Sequence, residues 1–305
     1  MTNIDSLKVL EWNINSRSTG KRMPDYVCSE ILSKDPDIAV LVEFKGEKNL
    51  QIINDRLSNY NIYYQQPVNT GNGVLIALSK NTFPDIIDEN NIESKKEYDE
   101  NIPDYLGLHT TWNNQLFNIV GIKVLVENEK RDTNNNTENK STTPDLDSRK
   151  KQIAWIIENT TDNNPDKVKE NTIIIGDFNY GPHRNEYRRT KQINWQDILE
   201  LIYISNNKTN NYPKYSRPYS PLGVSFRSYN LDWLITQKSS SSQVSQSRKI
   251  SVKEDSEYNQ LDWSFGQYNS RFKFVDGYLA PDGNFIRTDA PFPDHAIFTA
   301  EIELI

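Results

Sequence analysis

Thr172-Ile173-Ile174-Ile175-Gly176-Asp177-Phe178-Asn179 is the stretch on which the reading of this chain turns. An apolar strand runs into a glycine and then presents one carboxylate and one carboxamide, two residues apart. Alternate residues of a strand share a face, so Asp177 and Asn179 are expected to face one pocket. A buried strand needs neither polar group for its stability. The pair asks for a partner, and a metal, a water or a phosphate would serve.

Four other segments end apolar runs in the same way: Trp12-Asn13-Ile14-Asn15, Val42-Glu43-Phe44-Lys45, Leu231-Asp232-Trp233 and Pro293-Asp294-His295. A carboxylate beside buried strands is costly unless compensated. One such residue could be a capped loop. A whole set at predicted strand ends points to convergence in one pocket.

The strands and helices around these segments are mixed, without a strict strand–helix–strand repeat. Leu7 to Asn15, Ile38 to Glu43, Ile62 to Tyr64 and Val74 to Leu78 read as strands, with helices over 24–34 and 46–60. Tyr105–Trp112 and Gln115–Val124 flank Asn113-Asn114, a hairpin signature. A helix is expected from about 148 to 160 and one or two more over 184–203. Further strands are expected within 226–236, 272–279 and 296–304. Residues 127–147 and 238–258 are rich in polar residues and read as flexible insertions in one domain spanning 1–305. Two packed sheets with helices outside fit this pattern better than one parallel sheet.

Composition narrows the function classes. The 305 residues are 35% hydrophobic and 11% aromatic, enough for a core, while a mean hydropathy of −0.76 demands very polar loops and surface. The formal net charge of −7 opposes tight non-specific nucleic-acid binding. It does not exclude a nuclease, because a metal offsets local negative charge. The single cysteine, Cys28, allows no internal disulfide and no thiolate cluster, and reads as a core residue of an amphipathic helix. Met1 to Asp5 show no basic-then-apolar pattern and no run is long enough to span a bilayer, so a cytoplasmic protein, monomeric by default, is the expectation.

In this order, the five polar segments resemble the endonuclease/exonuclease/phosphatase superfamily, over about residues 7 to 304. Gly176-Asp177-Phe178-Asn179 and the terminal Asp294-His295 are the most specific marks, and Arg149-x-x-Gln152 ahead of them is also similar to many members. The resemblance implies a DNase I-like fold of the α/β class, a four-layer sandwich of two mostly antiparallel central sheets flanked by helices. It also implies cleavage of a phosphate ester dependent on Mg²⁺ or Mn²⁺. By the same resemblance Glu43, Asn13 and Asp294 approach the metal. Asp177 and Asn179 orient or activate water and contact phosphate, and Asp232 holds the catalytic His295. Two positions depart from the family pattern. Lys123, in Gly121-Ile122-Lys123-Val124, stands where many members carry a histidine, and Asn15 stands where repair-type members carry an aspartate.

The chemistry agrees with these roles. A phosphodiester is anionic, so its attack by a nucleophile needs a cation. Glu and Asp oxygens suit a hard divalent ion. A nearby carboxylate can take the proton of water, and a charged, oriented histidine can stabilise the developing negative charge. Lys123, Asn15, His183 and Arg184 are assigned to substrate contact, and His109, within the hairpin, to structure. Tyr212, Tyr215, Arg217 and Tyr219 could stack bases or merely pin a loop. The leading expectation is a nuclease acting on DNA. A phosphoesterase for a nucleotide, inositol phosphate or phospholipid headgroup is the alternative, and a catalytically weak binding module of the same fold is the third.

Overall fold

The computed structural model describes residues 6–14, 23, 25–65, 73–126, 145–159, 172–179, 232–236, 250–253, 263–264, 267–268, 278–279, 285–286 and 297–304. In chain order the strands are β1 (Ser6–Asn13), β2 (Ile38–Phe44), β3 (Tyr60–Gln65), β4 (Gly73–Ser79), β5 (Ile92–Ser94), β6 (Asp104–Trp112), β7 (Gln115–Lys123), β8 (Thr172–Asp177) and β9 (Asp232–Thr236). They continue with β10 (Ile250–Lys253), two short ribbons β11 (Trp263–Ser264) with β12 (Gln267–Tyr268) and β13 (Tyr278–Leu279) with β14 (Phe285–Ile286), and β15 (Phe298–Leu304). The helices are α1 (Asp25–Lys34), α2 (Glu47–Arg56) and α3 (Asp145–Asn159).

Six strands form one sheet in the order β10-β15-β1-β2-β4-β3, and five form a second in the order β5-β6-β7-β8-β9. Most pairings are antiparallel; β1 with β2 and β7 with β8 are parallel. The sheets pack face to face through alternate residues. Val9, Val40, Val42 and Ile76 from the first sheet meet Leu108, Ile119, Ile173 and Ile175 from the second in one buried cluster. The intervening residues of the first sheet, among them Leu10, Trp12, Ala39 and Leu41, form a second cluster with Val27, Cys28 and Ile31 of α1 and Ile53 of α2. The third helix covers the outer face of the second sheet, where Trp155 lies 5.4 Å from the Tyr105 ring. The order is helix, sheet, sheet, helix: the four-layer α/β sandwich expected from the sequence.

Local chemistry explains the boundaries. The first helix ends where Asp35 takes a left-handed conformation (φ 46°) ahead of Pro36 and returns its N–H to the Ile31 carbonyl. The hairpin turns on Asn113 and Asn114, both with positive φ (50° and 62°), as their short polar side chains allow. The helix expected over 46–60 stops at Arg56, because Tyr60 is already the first residue of a strand and its hydroxyl donates to the Pro36 carbonyl at 3.0 Å.

Two compositional readings need correction. Within 238–258, expected to be a flexible insertion, Ile250–Lys253 form a strand against β15, with Val252 opposite Ile302 and Lys253 opposite Glu301. The polar flanks concealed a four-residue run whose partner lies some fifty residues on. Likewise Asp145 to Asp147, assigned to the 127–147 loop, open α3; residues 127–144 lie outside the described residues, as do the helices expected over 184–203.

Two glycines permit close approach, one to side chains of the facing sheet and one to a neighbouring backbone. A Cβ at Gly121 would come within 2.8 Å of Val74 Cγ1 and 2.9 Å of Val40 Cγ1 on the opposite sheet. Gly176 has φ +152°, and a Cβ there would overlap the Ile122 carbonyl of the neighbouring strand. Gly176→Ala is therefore expected to cost about 3 kcal/mol or more, from backbone strain and collision together. The shift of the urea unfolding midpoint relative to wild type measures it.

Candidate active site

The alternation that builds the inter-sheet core also delivers polar groups to one end of it. Val9, Glu11 and Asn13 of β1 share a face, as do Phe117, Ile119, Gly121 and Lys123 of β7, and Ile173, Ile175 and Asp177 of β8. The last residue of each strand is therefore polar on the inner face. The second strand reaches the same end by another route. Its pairing with β4 slips between Val42 and Phe44, and Glu43 at the slip has φ +55°. This β-bulge turns Phe44 into the outer cluster and aims Glu43 inward.

Four side chains meet there. Asn13 Nδ2 donates to Glu43 Oε1 at 3.1 Å and to Asp177 Oδ2 at 2.8 Å. Lys123 Nζ lies 2.7 Å from Glu43 Oε1 and 2.9 Å from Asp177 Oδ2. All four residues are buried, Asp177 completely. Glu43 and Asn13 come from one sheet, Asp177 and Lys123 from the other, so the cluster bridges the sandwich. Desolvation pushes the Glu43 carboxyl upward, but the charge and hydrogen bond of Lys123 outweigh it. Asp177's charge acts upward and Asn13's hydrogen bond downward, and the net result lies below the ordinary carboxylate value.

Asn179 enters differently from the strand alternation expected of it. The eighth strand ends at Asp177, and Asn179 sits in a turn with φ +46°. Its backbone N–H donates to Asp177 Oδ1 at 2.8 Å, an Asx-type turn, and its Nδ2 donates to the Val124 carbonyl at 2.7 Å. The carboxamide thus joins the ends of β7 and β8, while the backbone N–H fixes the orientation of Asp177. Asp232 is brought to the same end by register, directly across from Asp177 in the β8–β9 ladder. Asn15, His183, Arg184, Asp294 and His295 lie outside the described residues, as do the four tyrosine-loop residues.

Arg149 and Gln152, read in the sequence only as points of resemblance, have a positioning role. Arg149 donates to the carbonyl of Asn179. Gln152 accepts from the Leu125 N–H at 2.8 Å and donates to its carbonyl at 3.1 Å. The first half of α3 thereby clamps both strand ends that carry the cluster. Glu11, buried on β1 two residues before Asn13, was also not singled out; its signal was an acid inside an alternating apolar strand. His109 stands apart: Nδ1 meets Asn118 Oδ1 at 2.6 Å, and Nε2 lies 3.1 Å from Glu93 Oε1. This chain lines a cavity of about 260 Å³ under α3, near the opposite ends of β7 and β8.

The oxygens of Glu43 and Asp177 approach one point from the two sheets, and an oxygen-only donor set suits a hard divalent cation. These residues fit the metal that the family resemblance implies. Among the described residues no third acidic, histidine or cysteine side chain completes a metal-binding group with them.

A sequence model of the Endonuclease/Exonuclease/phosphatase family matches residues 10–248. The chain belongs to that family. Membership makes it a phosphoester hydrolase by class. Comparison with curated protein sequences gives no match. Among solved structures, an endonuclease/exonuclease/phosphatase family protein from Bacteroides thetaiotaomicron is 14% identical with a TM-score of 0.52, covering 98% of each chain. The Bacteroides vulgatus endonuclease/exonuclease/phosphatase is 13% identical with a TM-score of 0.51, covering 98% of this chain and 99% of that one. Truncated Caenorhabditis elegans TDP2 is 15% identical with a TM-score of 0.51, covering 98% and 97%. At such identities the likeness shows the shared fold, a DNase I-like sandwich.

Two outcomes test the site as built. Gln152→Leu leaves both backbone groups of Leu125 without their partner, and should cost about 2 kcal/mol or more in urea unfolding. Glu43 has a folded pKa below its ordinary 4.5, so its contribution to stability is complete above that value and vanishes as pH falls through the folded one. The stability gap between wild type and Glu43→Gln should accordingly narrow on acidification from pH 7, followed by unfolding midpoints across the range.

Proposed function

We propose that this chain is a divalent-metal-dependent phosphodiesterase that hydrolyses a phosphate ester by attack of activated water, with DNA as its substrate. The observation that carries the reading is the meeting of Glu43 and Asp177, one carboxylate from each sheet, with Asn13 bonded to both. A protein core gains nothing from two buried carboxylates in one place; a cationic reaction centre requires them.

Glu43, Asn13 and Asp294 would hold the ion, Mg²⁺ or Mn²⁺, which when bound supplies charge neutralisation at a phosphoryl oxygen. Asp177 orients the attacking water and takes its proton. Its Oδ1 accepts from the Asn179 N–H and its Oδ2 accepts from Asn13 Nδ2 and Lys123 Nζ, so both oxygens of the carboxylate are held in place. Asn179 fixes the carboxylate plane, and Asp232 holds His295 toward the phosphate. Lys123, Asn15, His183 and Arg184 contribute contacts to the substrate. The return of β15 to pair with β1 supports reading the whole chain as one domain.

A second reading keeps the chemistry and changes the substrate. The net charge of −7 favours a small phosphoester over a long polyanion.

Purified protein with Mg²⁺ or Mn²⁺ should cleave DNA, and Asp177→Ala and His295→Ala should each lower kcat by about a hundredfold or more. Cleavage of nucleotide, inositol-phosphate or phospholipid substrates without cleavage of DNA would select the second reading. Failure on every phosphoester with both metals would overturn the proposal.

A further inference from the structure

Lys123 stands at the point where the two carboxylates converge. Its Nζ is within hydrogen-bond distance of Glu43 Oε1 and Asp177 Oδ2 at once, and its side chain is only 3% exposed. These are the same oxygens to which Asn13 Nδ2 donates. An ammonium has three donors and no lone pair, so a charged lysine cannot join a metal's coordination sphere. A divalent ion held by the Glu43 carboxylate beside Asp177 would compete with Nζ for the same pair of negative charges and would meet its positive charge at close range.

The charge count points the same way. Glu43 and Asp177 carry two negative charges and Lys123 one positive, so these three groups sum to one negative charge. With a divalent ion in place of the ammonium, the ion and the two carboxylates sum to zero. Lys123 is the last residue of β7. Its four-carbon stem lets the head group swing away while the strand stays paired.

We infer that Lys123 and the divalent ion share one seat between Glu43 and Asp177, so that the ion binds only when the Lys123 ammonium leaves, and that the departing ammonium is then available to the substrate phosphate. Lys123 is thus a built-in competitor that sets metal affinity. The inference rests on the proposed function for the presence of a metal, and it adds what that metal must displace.

Titration calorimetry with Mn²⁺ on wild type, Lys123→Met and Glu43→Gln tests it without any turnover. Lys123→Met should bind Mn²⁺ on the order of tenfold more tightly than wild type or better, because a buried opposing charge has gone. Its unfolding temperature should also rise more on adding Mn²⁺. Glu43→Gln should lose the binding. Equal or weaker binding by Lys123→Met, or no binding by either protein at millimolar Mn²⁺, overturns the shared seat.

A second measurement stands if Lys123→Met does not fold. Amine acetylation of wild type, read by mass spectrometry, should find Lys123 protected without metal and labelled once Mn²⁺ is bound. Unchanged or greater protection in saturating Mn²⁺ overturns the inference. Tight metal binding by Lys123→Met together with no hydrolysis of any phosphoester by wild type sustains the shared seat and overturns the proposed function alone.

Discussion

A buried ammonium ties one carboxylate from each sheet together at the end of the sandwich where apolar contact between the sheets gives out. Val42, Ile119 and Ile175 are the last large side chains in the interface on their strands. Beyond them Gly121 lets the sheets approach, and then come Asn13, Glu43, Lys123 and Asp177. Without a cation the two carboxylates could not both be ionised in so dry a place. The geometry of the cluster therefore depends on a positive charge.

That tie does not provide the stability of the fold. Replacing a buried ion cluster by apolar residues is often neutral or stabilising, whereas removing one partner is strongly destabilising. Stability comes from the two apolar clusters on the faces of the first sheet. The polar end is a cost carried by that framework, and the backbone shows the same economy. Glu43 and Asn179 both adopt left-handed conformations that ordinary residues avoid, and both lie at the cluster. Such conformations persist where surrounding contacts over-determine them. Here the contacts are the β4 ladder on one side and, on the other, the clamp from Arg149 and Gln152 of α3.

Much of this was legible in the chain itself. The apolar runs at Ile38–Val42, Val74–Leu78 and Ile173–Ile175, the asparagine turn and the polar residues at strand ends led to two sheets and to a site at one end of them. Ile250–Lys253 escaped because a four-residue strand in a serine-rich segment carries too weak a periodic signal; its partner, not its composition, makes it a strand. Asn179 was placed at the site for an incomplete reason, since a turn rather than continued alternation brings it there. Arg149 and Gln152 bond to backbone carbonyls and amides, and a backbone partner leaves no mark in a sequence.

The order and spacing of side chains determined, unaided, which strands form, which faces are apolar and which residues have no business in a core. Those are local properties, decided by periodicities of two and of 3.6 residues. Only the tertiary structure decided that Glu43 faces inward, through a bulge in its pairing with β4, and that Lys123 lies between two acids remote from it in the chain. Register shifts and cross-sheet distances arise from the packing of distant segments, and no property of either segment alone specifies them.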